Sequence, residues 1–162
     1  MPPAASVAEN ILANIKTTLQ AIAPSGVPAT GYSTAIKQVL RWGKDPSSIN
    51  EYPILVFGDV SEKVDKGSNQ LLHKTMTVVL TAYMELPFET DDATGGSITA
   101  LKADIEKVLM QDPSRGGYAV DTLHKGSEVD VAFEAGPFLR FTMMFDVQYR
   151  QNRTDPTNPC AS

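Results

Sequence analysis

The chain has 162 residues, a length that suits one domain able to bury its own core without metal or disulfide staples. Its formal charge of -5 gives no general attraction to phosphate backbones, and its one cysteine, Cys160, excludes an intrachain disulfide. No basic segment followed by an apolar run opens the chain, and no stretch approaches the roughly 20 apolar residues that cross a bilayer, so a soluble, unprocessed protein without membrane contact is expected.

Ser6, with Glu9 three residues on, is a capping-box pattern that predicts a helix from Val7 to Ala23, closed by Pro24. Val7, Ile11, Leu12, Ile15, Leu19 and Ile22 recur at helical spacing, so one face of this helix must lie on apolar surface. Pro24 to Gly31 reads as a loop and Ile36 to Trp42 as a strand, ended by Gly43 and Asp45-Pro46. Pro53 to Val60 fits a buried strand. Ser61 to Gln70, crowded with charge, fits a mobile loop. Leu72 to Glu85 alternates at period two, with Leu72, Lys74, Met76, Val78, Leu80, Ala82 and Met84 on one side, as in a long central strand.

Glu89 to Gly96 is acidic and glycine-rich, a turn or insertion. Ile98, Leu101, Ile105, Val108 and Leu109 then mark a second amphipathic helix, which Asp112-Pro113 ends. Tyr118 to His124 and Glu128 to Glu134 read as strands, and Gly136-Pro137 turns the chain into Phe138 to Arg150. In that last strand Leu139, Phe141, Met143, Phe145, Val147 and Tyr149 line one face; Arg140, Thr142, Met144, Asp146, Gln148 and Arg150 line the other. The expected fold is α+β: a single domain over residues 1–150, mainly an antiparallel β-sheet with two α-helices packed on one face, followed by an extended polar tail over 151–162.

A search for chemistry finds little. His73 and His124 lie in different strands without metal-ligand spacing. Asp104 and Glu106, two apart on a helix, point different ways and read as solvated charges, as do Asp91 and Asp92. The pairs Gly95-Gly96 and Gly116-Gly117 belong to no phosphate-binding loop, and no nucleophile elbow occurs. Trp42, Phe138, Phe141, Phe145 and Tyr149 could suggest a sheet that stacks on bases, but most of them share the apolar face, which suits core packing better. No catalytic residue, cofactor or metal is expected.

From Glu51 to Arg150 the order of segments resembles the tail-terminator, or tail-completion, family of tailed bacteriophages. The resemblance is carried by Tyr52-Pro53 opening a strand with Gly58 and Glu62 beyond it, and by Lys74 leading into a strand that ends Thr81-Ala82-Tyr83. Leu101, Asp104-Ile105-Glu106 and Leu109 continue it, then Asp112, Gly116-Gly117 and the closing Phe145, Val147, Tyr149 and Arg150. Trp42-Gly43, the Glu89 to Gly96 insertion and the polar carboxyl tail depart from the family pattern.

The resemblance implies a structural virion protein at the head-proximal end of the tail, assembled in the host cytoplasm. Copies of the chain would close into a homo-hexameric ring that caps the tail tube protein, stops tube polymerisation and docks the head-tail connector or head-completion protein. DNA would pass through the channel without specific binding. On that reading Arg140, Thr142, Asp146, Gln148 and Arg150 are candidate subunit-interface residues. Glu62, Lys63, Asp65, Lys66, Asp91 and Asp92 are candidates for loops that reach axial partners or line the channel, where acidic side chains would repel DNA. The alternatives are a head-completion or connector-adaptor subunit, a small cytoplasmic α+β enzyme or ligand-binding module, and a nucleic-acid-binding protein.

Overall fold

The structure is a computed structural model that describes residues 4–23, 29–42, 51–85, 91–132 and 138–160. The turns expected at Pro24, at Gly43 and Asp45-Pro46, and at Gly136-Pro137 fall outside these residues, as do Glu89 and Glu134. In chain order the elements are α1 (Val7–Gln20), β1 (Gln38–Arg41), β2 (Ile54–Gly67), β3 (Leu71–Glu85), α2 (Asp91–Met110), β4 (Ala119–Ala132) and β5 (Phe138–Asn152). The strands form one five-stranded sheet in the order β1-β2-β3-β5-β4. Every pairing is antiparallel except that of β1 with β2. This is the expected α+β architecture, with a parallel strand added at one edge.

Helix α1 starts where its cap dictates: the Ser6 hydroxyl accepts the Glu9 amide at 3.2 Å. Glu9 does not reach back to complete a capping box. Its carboxylate pairs instead with Arg41 at 2.6 Å, tying the helix start to the end of β1. The helix ends at Gln20 rather than Ala23, although Ile22 and Ala23 remain buried just past it. Both helices pack on the same side of the sheet. The stripe of α1 from Val7 to Ile22 joins Leu101, Ile105, Val108 and Leu109 of α2 in one core, closed by Met76, Val78, Leu80 and Ala82 of β3 and the odd-numbered residues of β5 from Leu139 to Tyr149. The period-two alternation of the last strand is thus a division between core and open face.

Four expectations are corrected. Residues 61–67 are not a mobile loop but the outer half of β2, which pairs with β3 as far as Gly67. Register shifts between Asp59 and Ser61 and between Val64 and Lys66 interrupt the alternation there, and a bulged, charged edge strand looks like a loop in sequence. Only residues 68–70 form the turn, which the Ser68 hydroxyl closes by accepting the Leu71 amide at 3.0 Å. Second, α2 begins at Asp91 and runs through Gly95-Gly96. Its C-terminal half is anchored by core residues, and extending an anchored helix adds one hydrogen bond per residue, which offsets a glycine cost of about 1 kcal/mol each.

Third, the two strands expected on either side of Lys125 are one. β4 is continuous, and shifts between Ala119 and Asp121 and between His124 and Gly126 each absorb one extra residue. Fourth, the tail does not hang free. Strand β5 continues to Asn152, Gln151 is buried, and three backbone bonds hold the residues beyond. The Asn152 amide donates to the Asn158 carbonyl at 3.1 Å, Arg153 to Gln70 at 2.9 Å, and Val7 at the start of α1 to Pro156 at 2.9 Å. The tail straps the hairpin turn to the first helix.

Candidate functional site

The face of the sheet opposite the helices is where most of the expected interface residues meet. Because β5 sends its odd residues into the core, Arg140, Thr142, Met144, Asp146, Gln148 and Arg150 all stand on this open face. Neighbouring strands extend them into rows. From β2 to β4, one row is Gly58, Val79, Met144 and Gly126; the next is Ser61, Thr77, Asp146 and Leu123; the next is Lys63, Thr75, Gln148 and Asp121.

The middle of this face is not evenly polar. The Trp42 indole lies directly on Gly58: a Cβ there would sit 1.4 Å from Trp42 Cδ1 and 1.6 Å from Nε1. With Val79 and Met144 in the same row and Leu123 one row on, an apolar band crosses the sheet. Trp42, Met144 and Leu123 are 47%, 44% and 40% exposed, which is unusual for large apolar side chains gathered on one face, and Trp42 is thus not the core aromatic expected from the sequence, because it stands over Gly58 on the open side. Charges border the band. Asp146 accepts the Thr77 hydroxyl at 2.8 Å and faces Lys125 at 3.6 Å. Towards the β1 edge the same face is closed, since Ile54 and Val56 are buried there outside the main core cluster.

The expected partner-facing residues of the former loop lie along β2. Glu62 turns to the helix-bearing side, where Lys74 approaches it at 2.6 Å and the Tyr149 hydroxyl donates to it. Burial works to raise the pKa of Glu62, but the hydrogen bonds from Lys74 and Tyr149 outweigh it and hold the carboxyl below its usual range. Tyr149 is driven the other way, first by burial and then by that carboxylate. Asp65 accepts the Thr75 hydroxyl and pairs with Lys63 at 3.2 Å, and its carboxyl is likewise held low. Both acids therefore carry a lysine partner, which weakens the acidic channel lining expected of them. Lys66 lies beside the second bulge, opposite His73 in the register. Asp91 and Asp92 are the first residues of α2 rather than part of a loop.

The carboxylates first read as solvated charges include one that is structural. Asp104 is 5% exposed, and its Oδ2 accepts the amides of Ser33 and Thr34 at 2.8 and 2.9 Å, pinning the segment before β1 to α2. Glu106 meets His124 Nδ1 at 3.2 Å, and the His124 ring stacks on Phe145 with centroids 5.0 Å apart. Among the described residues no three histidine, cysteine or acidic side chains converge as a metal site would require. Two open grooves, of about 580 Å³ beside α1 and β1 and about 680 Å³ beside the segment before β1, are each lined by one titratable side chain among the described residues, Lys37. Neither brings together the acid, base or nucleophile that a reaction would use, whereas a third groove, of about 360 Å³, is lined by Asp65, His73, Lys74, Tyr149 and Arg150.

Sequence reasoning placed the polar face of β5 but missed the apolar band, because Trp42 and Gly58 meet only once β1 lies beside β2. No protein-family model matches the chain, and no curated protein matches it.

Proposed function

We propose that this chain is a structural subunit that assembles with copies of itself, and specifically that it terminates the tail tube of a long-tailed bacteriophage. One observation carries the first part: both helices cover a single side of the sheet, leaving the other with an exposed apolar band bordered by charge. Such a face suits a protein partner, since apolar anchors within a polar rim are the usual anatomy of a specific interface. The second part draws its support from the ordered segments that resemble the tail-terminator family. A ring subunit needs a heterologous contact that closes by rotation, a surface complementary to the tube and another that is not. Arg140, Thr142, Asp146, Gln148 and Arg150 lie on the open face, which can supply one of these surfaces.

The test is to measure the native mass of the purified protein and to image it with and without phage tail tubes. Sixfold rings seated on tube ends are expected. A stable monomer indifferent to tubes would overturn the proposal, and rings that bind a head connector while ignoring tubes would transfer it to the head side of the joint.

A further inference from the structure

The sheet has two free edges of different origin. β4 is the last strand on one side, and among the described residues nothing pairs with its outer edge. On the other side β1 pairs with Ile54, Leu55, Val56 and Phe57 of β2, so, among the described residues, 58–67 carry an unpaired outer edge. Both edges are guarded as solvent-facing edges usually are: each holds two bulges and several charges that discourage indiscriminate pairing.

The guards on one edge match those on the other. Along the register, the two ends of each row lie at the same level of the sheet. The row that begins at Lys63 ends at Asp121; the row that begins at Asp59 ends at His124, beside Lys125; the row that begins at Val64 ends at Ala119, beside Val120. From Gly58 to Val64 no row ends in two like charges. Val64 and Val120 are 53% and 52% exposed, so an apolar contact is on offer at the same level as the charges. Strand direction fits as well. β2 and β5 run the same way and β4 runs against them, so β4 of one copy laid beside β2 of another, with the sheets in the same orientation, makes an antiparallel pair.

We propose that copies of this chain join edge to edge, with β4 of one adding as a strand to the free outer half of β2 in the next. Asp121 then faces Lys63, and Val120 packs on Val64. Backbone hydrogen bonds supply attraction and the matched charges select the register, because a slip by one row would set Asp121 against Glu62 or a neutral residue. The contact is heterologous, since two different edges meet, and a rotation about an axis along the strands repeats it into a ring. It rests on the self-assembly reading above but not on the identity of the tail.

The test uses the full chain with Cys160→Ser, to which Val64→Cys and Val120→Cys are added separately and together. Under mild oxidation the double variant should give a ladder of cross-linked multiples that neither single variant gives. In parallel, Lys63→Asp or Asp121→Lys should lower the native mass to that of the monomer, and the two reversals in one chain should restore it. No ladder, reversals that leave the mass unchanged, or a double reversal that fails to restore it would overturn the joint, as would a monomer at every concentration up to the millimolar range. Should a reversal disturb folding, seen by circular dichroism, the cysteine pair remains an independent readout. Rings that cap tubes without a Val64 to Val120 cross-link would sink the joint alone. Edge-dependent assemblies that ignore tubes would sink the tail-terminator reading alone.

Discussion

Gly58 shows how one missing atom shapes the open face. Its Cα has no side chain and the Trp42 ring occupies the space a Cβ would need, so Gly58→Ala must eject the indole. Overpacking of this kind costs about 1–3 kcal/mol. Trp42 is the one tryptophan in the chain, so its fluorescence reports the event directly. The variant is expected to show red-shifted emission and a lower unfolding midpoint, and unchanged emission would show that the ring does not depend on the glycine. Arg115 is the opposite case. It is fully buried at a positive φ of 50°, with Nε on the Thr122 hydroxyl at 3.1 Å and, among the described residues, no partner for either terminal nitrogen. A buried charge with unmet donors is weak support for a fold, so Arg115→Met is expected to be at least as stable in urea as the parent, to within about 1 kcal/mol. A loss well beyond that would mean the guanidinium has partners that the geometry does not show. Beside it, Asp112 is held below the usual carboxylate range, chiefly by the Ser114 hydroxyl and, against the effect of burial, by the Gly116 amide at 2.6 Å. A lowered folded pKa contributes stability that is present above the unfolded value near 3.8 and is lost as pH falls through the folded one. Asp112→Asn should therefore be less stable at neutral pH and show a flatter decline in acid, measured as unfolding midpoint against pH.

At the scale of elements, legibility followed how each element is held. The alternation of Leu139 to Tyr149 and the stripe of Val7 to Ile22 could be read because burial on one face imposes a period on the sequence. The outer half of β2 could not, since its residues meet solvent and its two bulges shift the phase. The first turns of α2 were hidden by Gly95-Gly96, whose low intrinsic helix preference is overruled by the anchored turns beyond them. The tail was illegible for a third reason: its attachment runs mainly through backbone groups of Val7, Asn152 and Arg153, which leave no mark on side-chain pattern. The candidate site divides the same way. Arg140 to Arg150 could be placed from period alone, whereas the Trp42 and Gly58 pair depends on contacts between strands. The tail also yields an expectation. Truncation after Asn152 removes the three backbone bonds, each contributing about 0.5–1.5 kcal/mol, so the shortened protein should fold but lose about 1.5–4.5 kcal/mol. Hydrogen exchange should quicken at residues 68–71, where Arg153 holds the turn through the Gln70 carbonyl. Unchanged exchange there would show that the hairpin does not need its strap.

For the whole molecule, the joint between β4 and the outer half of β2 links assembly to stability. If only folded chains present these edges, association draws the unfolding equilibrium towards the folded state by mass action. The unfolding midpoint should then rise with protein concentration, whereas an isolated domain of this size has a midpoint independent of it. The two kinds of contact in the joint respond differently to salt. Lys63 is exposed and Asp121 partly so, and charges in contact with solvent are screened once the Debye length falls to about 3 Å near 1 M salt, whereas contact between Val64 and Val120 and the added backbone bonds are not. The concentration dependence should accordingly shrink at high salt without vanishing, and Lys63→Asp should mimic high salt at low ionic strength. A midpoint that stays constant across a hundredfold range of concentration would mean that the folded chain gains nothing from its neighbours in solution. A dependence that is insensitive to salt and to Lys63→Asp would place the contact elsewhere, with the Trp42 and Met144 band of the open face the surface to test next.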